Sequence, residues 1–81
     1  MVRMCAYILI EASMGNADSV ASGVRSLEFS KPTKLLSADA VTGPFDVVAV
    51  VETTDLDTLI QSVTDRIQTI GGVERTTTCV S

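Results

Sequence analysis

The stretch Thr42-Gly43-Pro44-Phe45-Asp46-Val47-Val48-Ala49-Val50-Val51-Glu52 decides how the rest of the chain is read. Gly43 reaches backbone angles closed to other residues, and Pro44 fixes its own φ and withholds an N–H donor, so Thr42-Gly43-Pro44 is a turn. The β-branched, apolar run after it suits a pleated strand. Phe45 to Glu52 is therefore expected to be a strand whose centre, Val47 to Val51, is apolar on both faces.

Working outward, Thr33 to Val41 reads as the strand before the turn, and Ser30-Lys31-Pro32 as a connector, since proline disfavours helix in the residue before it. Downstream, Thr54 is expected to cap a helix, with Asp57 as the acidic partner of a capping box. Leu56, Leu59, Ile60, Val63, Ile67 and Ile70 then form one apolar stripe. Gly71 and Gly72 end that helix, and Val73 to Val80 makes a last strand. In that strand Arg75, Thr77 and Cys79 share one face, and Thr76, Thr78 and Val80 the other. At the other end of the chain, Cys5 to Ala12 is a buried strand and Ser13 to Asn16 a break, with Asn16 as a helix cap. Ala17, Val20, Ala21, Val24 and Leu27 recur at helical spacing, so the first helix is expected over roughly residues 16 to 28. The order is βαββαβ. The expected fold class is α+β, ferredoxin-like: a four-stranded antiparallel sheet with both helices on one face. The expected strand order is 4-1-3-2, and residues 1–81 are expected to form a single domain.

An antiparallel sheet with one solvated face should alternate apolar and polar residues. Tyr7 to Ile10 and Val47 to Val51 do not alternate. The second face is therefore apolar, and a small monomer should not expose such a patch. A second copy packed against it resolves the conflict; a lone domain with a greasy sheet is the bland alternative. In the expected strand order Cys5 and Cys79 lie near the same end of the sheet, and in a reducing cytosol they should be free thiols.

Composition narrows the function. The chain has 81 residues, 46% hydrophobic, with a net charge of −4. Its six Lys and Arg residues are scattered and its aromatic stock is small, which argues against nucleic acid as a partner. Histidine is absent, and the only thiols are Cys5 and Cys79. A Cys-His or Ser-His pair is then impossible, and a four-ligand zinc site cannot close within one chain. No enzymatic role, no cofactor and no metal are expected. No apolar run approaches a membrane span, and no signal peptide is read, so the expectation is a cytoplasmic protein without a membrane partner.

Thr42-Gly43-Pro44-Phe45-Asp46, a helix, and then Gly72-Val73-Glu74-Arg75-Thr76-Thr77-Thr78 resemble the effector-binding (RAM) domain of the Lrp/AsnC transcriptional regulators. The resemblance covers roughly residues 4 to 80. Only Met1 to Met4 precede the first strand, so the chain looks like the stand-alone version, without a helix-turn-helix. The resemblance implies binding of an amino acid or related small molecule. It also implies a homo-oligomer: a dimer formed through the sheets, with assembly to octamers or decamers. Effector sites in the family lie between dimers, near the turn between strands two and three. Full-length Lrp/AsnC regulators are the implied protein partners, through mixing of subunits, in transcription regulation.

An amino-acid ligand brings an ammonium that needs a carboxylate or carbonyls, and a carboxylate that needs N–H or hydroxyl donors. Asp46 suits the first; backbone N–H groups of Thr42, Gly43 and Phe45 and threonine hydroxyls suit the second, while Pro44 shapes the turn. Asp39 on the second strand and Thr76 and Thr78 on the last complete the candidate ligand-binding set. The same residues also fit ordinary turn and strand chemistry, with Asp46 capping its own loop. Two further readings stand beside the sensor. One is a purely structural oligomerisation module. The other is an ACT-like regulatory domain, which also binds amino acids between subunits. A copper chaperone lacks its Cys-x-x-Cys here, and small monooxygenases of this fold usually carry His or Trp.

Overall fold

The computed structural model describes residues 3–29 and 33–80. The order is β1 (Met4–Ala12), α1 (Ala17–Ser26), β2 (Lys34–Ala40), β3 (Val47–Thr53), α2 and β4 (Val73–Val80). Helix α2 is continuous through Leu56–Thr58, a wider π-type turn at Leu59–Val63, and Thr64–Gln68. The four strands form one sheet in the order β2-β3-β1-β4, and every neighbouring pair is antiparallel. This is the ferredoxin-like α+β arrangement read from the sequence. The Ser30–Pro32 connector lies outside the described residues.

The core forms between the sheet and the helices because one face of each of the two central strands, β1 and β3, is almost entirely apolar. Ala6, Ile8 and Ile10 of β1 and Val47, Ala49 and Val51 of β3 are completely buried. They pack with Val20 and Val24 of α1 and with Leu59, Val63 and Ile67 of α2. The three α2 residues are four apart. On a regular helix of roughly 3.6 residues per turn, each such step overshoots the sheet by about 40°. The π-type turn takes up part of that drift and keeps all three facing the core. Ile60, assigned to the same stripe from the sequence, is instead half exposed.

The helix ends differ from expectation in detail. Asp55, not Thr54, caps α2: its carboxylate accepts from the N–H groups of Asp57 and Thr58 and from the Thr58 hydroxyl. Thr54 and Asp55 are both cap formers, and the one with the carboxylate reaches more donors. Asn16 does occupy the cap position of α1, but its side chain makes no cap bond; it donates to Ser13 Oγ instead. Of the Gly71-Gly72 pair, only Gly72 takes a positive φ, +99°. It also needs to be small, because a Cβ there would lie 3.1 Å from Asn16 Cβ and 3.2 Å from Val20 Cγ2.

The second face of the sheet carries Cys5, Tyr7, Leu9, Val48 and Val50 in its middle. Leu9, Val48 and Val50 are half-buried, and Tyr7 is 43% exposed. Ion pairs stand at two places around this apolar strip: Arg3 with Glu52 at one end and Arg75 with Glu11 at the other. Tyr7 is the residue opposite Cys79, so the cysteines are diagonal neighbours on this face and no disulfide joins them.

Candidate functional site

The turn Thr42–Asp46 sits at one end of the sheet, where β1 ends and β3 begins. The N–H of Val41 donates to the carbonyl of Asp46 at 2.8 Å and closes the β2–β3 hairpin. The N–H of Asp46 donates to the carbonyl of Ile10 at 2.9 Å and starts the β1–β3 ladder. Its side chain makes a third attachment: Ala12 N–H donates to Asp46 Oδ2 at 2.8 Å. The reason lies in β1. The β1–β4 register shifts between Glu11 and Ala12, so Glu11 faces Arg75 while Ala12 faces Val73. The extra residue of that irregularity, Glu74, is on β4. On its other side β1 is last paired with β3 at Ile10, and past the end of that pairing a carboxylate receives the Ala12 N–H.

Between these attachments the turn stands in solvent. Thr42, Gly43 and Pro44 are exposed, and Phe45 and Asp46 are half-buried. Gly43 has φ +150°, and a Cβ on it would meet nothing within 4 Å. The glycine is thus required by its backbone angle and not by crowding, which leaves the main chain of the turn open to approach. Asp46 Oδ1 has no hydrogen bond among the described residues. The turn therefore offers backbone donors, one threonine hydroxyl and a carboxylate oxygen.

The other candidates lie elsewhere. Asp39 is on β2, opposite Val48 on the open face, where Arg25 reaches it at 3.8 Å while also donating to the Ala38 carbonyl. Thr76 and Thr78 are on β4 opposite Ile10 and Ile8, on the helix side. Gln68 of α2 makes a long 3.4 Å hydrogen bond to Thr76 Oγ1. Strands β2 and β4 are opposite edges of the sheet, three inter-strand steps or roughly 14 Å apart. One copy thus brings Thr42 to Asp46 together, but places Asp39 and the two threonines at separate edges and on opposite faces. The sequence reading missed Ala12 and Val41, because they act through backbone groups that no side-chain pattern marks.

A ferredoxin-like α+β domain with an exposed, firmly anchored turn at the sheet end and a half-covered apolar face is the class these features define. The chain belongs to the Lrp/AsnC ligand binding domain family, whose model matches residues 5–81. It is thereby a ligand-sensing regulatory domain, and the family match, not that role, sets it apart from the ACT-like alternative. Its structure is similar to that of a protein from Thermus thermophilus, with 31% identity over 96% of this chain and 91% of that one and a TM-score of 0.80. It shares its fold with Escherichia coli AsnC, at 23% identity and TM-score 0.78, covering 96% of this chain and 50% of that one. It also shares its fold with a transcriptional regulator from Neisseria meningitidis in complex with L-methionine, at 24% identity and TM-score 0.73, covering 96% of this chain and 49% of that one. No curated protein matches the chain. Among the described residues no helix is long and apolar enough to cross a membrane.

Proposed function

We propose that this chain is an amino-acid sensor that works as an oligomer in the cytoplasm, binding its ligand beside Thr42–Asp46 where a second copy covers the turn. The observation that carries the reading is the turn itself: fixed at three points, open along its main chain, and not enclosed by its own copy. A small zwitterion would gain little from such a surface unless another subunit buried it. The spread of Asp39, Thr76 and Thr78 over two sheet edges supports the same conclusion, since only several copies can bring them to one ligand. The apolar strip Tyr7, Leu9, Val48 and Val50 supplies the face through which two copies would join. Octamers or decamers would then place turns of different dimers together, and subunit mixing would carry the signal to full-length Lrp/AsnC regulators. Binding neither duplex DNA nor a catalytic substrate belongs to this reading.

One observation favours a second reading. Asp46 already accepts a hydrogen bond from Ala12, as an ordinary loop clasp would, and a purely structural oligomerisation module needs no more than that. A thermal-shift screen of the twenty amino acids, combined with light scattering for mass, separates the two. The sensor reading expects saturable stabilisation by at least one amino acid on an oligomeric protein. Methionine is the first to try, given the complex formed by the Neisseria meningitidis regulator of the same fold. No shift with any of them would favour the structural module.

A further inference from the structure

Asp46 is the acidic residue of the turn, and charge alone would assign it to the ligand's ammonium. The geometry points to a different role: we infer that Asp46 is a positioning residue, which sets the Thr42–Phe45 main chain for the ligand through its bond to Ala12. The inference rests on the amino-acid reading of this turn and deepens it.

Three observations carry it. The first is where Asp46 Oδ2 goes: to the N–H of Ala12, 34 residues away in sequence, at 2.8 Å. Ala12 stands two residues past Ile10, where the pairing of β1 with β3 ends, so its N–H depends on a partner from outside that ladder. A carboxylate held by a backbone N–H makes a charge-assisted bond, stronger than a neutral one. Second, the main chain of Asp46 is bonded on both sides, to Ile10 through its N–H and to Val41 through its carbonyl. With these three bonds one residue ties the ends of β1 and β2 to the start of β3. Third, the residues it anchors are those whose shape matters. Gly43 holds φ +150° in open space, and nothing in its own surroundings keeps it there. The anchored end of the loop has to supply the order.

The role predicts what the side chain needs. Accepting from Ala12 N–H requires an oxygen at the right reach, not a negative charge. Asparagine keeps that oxygen; alanine does not. An ammonium-binding carboxylate would behave otherwise, because asparagine would lose the charge just as alanine does.

The experiment is calorimetry with the best amino acid from the thermal-shift screen on wild type, Asp46→Asn and Asp46→Ala, each verified by circular dichroism and light scattering. The amide of Ala12 is followed in parallel by NMR hydrogen exchange without ligand. The expected result is that Asp46→Asn binds within about threefold of wild type and keeps the Ala12 amide protected, since a neutral acceptor retains the geometry and roughly half the strength of such a bond. Asp46→Ala should bind roughly tenfold more weakly or worse and lose that protection. If Asp46→Ala does not fold, Asp46→Asn against wild type decides alone. Asp46→Asn with a protected Ala12 amide but lost affinity would overturn the inference in favour of direct charge pairing. Unchanged binding by a folded Asp46→Ala would overturn it as well. If wild type takes no amino acid, the sensor reading fails and the positioning role falls with it, while Ala12 exchange still reports whether the clasp exists.

Discussion

The two faces of the sheet are built from the same strands and nearly the same residue types, yet they end in different states. Toward the helices, Ile8, Ile10, Val47 and Val51 are fully buried. On the other side, their neighbours Leu9, Val48 and Val50 are only half covered, and Tyr7 is exposed. Hydropathy alone does not distinguish the faces; what distinguishes them is whether something within the chain covers them. Burial of apolar surface is worth roughly 25 cal/mol per Å². The helix side already gains it, and the open side would gain it only under a second copy. Ion pairs between Arg3 and Glu52 and between Arg75 and Glu11 stand at the ends of that open strip. Exposed pairs of this kind contribute little to stability, and their place is that of a polar rim around an apolar centre.

The comparison can be broken most violently on the covered face. Ile8→Ala removes a fully buried side chain and should cost about 2–5 kcal/mol through lost burial and the cavity left behind. Urea unfolding checks it. An effect below that range would mean that the helix layer is looser than its burial implies. Next in size is the junction that seats α1 against the start of β4. Gly72→Ala forces a side chain onto φ +99° and into Asn16 and Val20, and should cost about 1–3 kcal/mol. A thermal melt within a degree of wild type would contradict the close packing there.

Much of this was legible in the sequence, for physical reasons that can be named. The β-branched run of β3 and the apolar stripe of α2 each mark one kind of element, so the element order followed, and the strand order followed from the fold that this order implies. That both faces of β1 and β3 are apolar was legible too; which of the two the helices cover was not. What was not legible depends on contacts between distant residues or on small differences between neighbours. Thr54 and Asp55 both suit a cap, and only the folded geometry shows Asp55 taking it. The π-type turn arises because Leu59, Val63 and Ile67 repeat at four and not 3.6, a subtle mismatch that exposes Ile60. At the candidate site, Thr42 to Asp46 adjoin in sequence and stay together. Asp39, Thr76 and Thr78 were grouped with them by chemistry, and the strand order sends them to opposite edges. The bond of Asp46 to Ala12 could not be read at all, because its donor is a backbone N–H just past the end of the β1–β3 pairing.

A smaller effect sharpens the helix layer. The Thr58 hydroxyl, followed by the Thr58 backbone N–H, holds the Asp55 carboxyl below its usual range. A folded-state pKa lowered in this way contributes stability above the unfolded carboxylate's pKa, and that contribution is lost as pH falls through the folded value. Asp55→Asn should therefore flatten the acid side of the stability profile slightly while leaving helix content at neutral pH nearly intact. Urea midpoints across the acid range would show it, and an identical slope in both proteins would count against the assignment.

The most direct test of the central claim, that the open face is an interface between copies, is sedimentation equilibrium at micromolar concentration on wild type and Val50→Lys. Val50 is on the half-covered side, so a lysine there should change the stability of the lone fold by less than about 0.5 kcal/mol while placing a charge in the centre of the contact. The account predicts a wild-type mass of at least two chains and a Val50→Lys mass near one chain, with the fold intact by circular dichroism. A wild type that sediments as a single chain would contradict it.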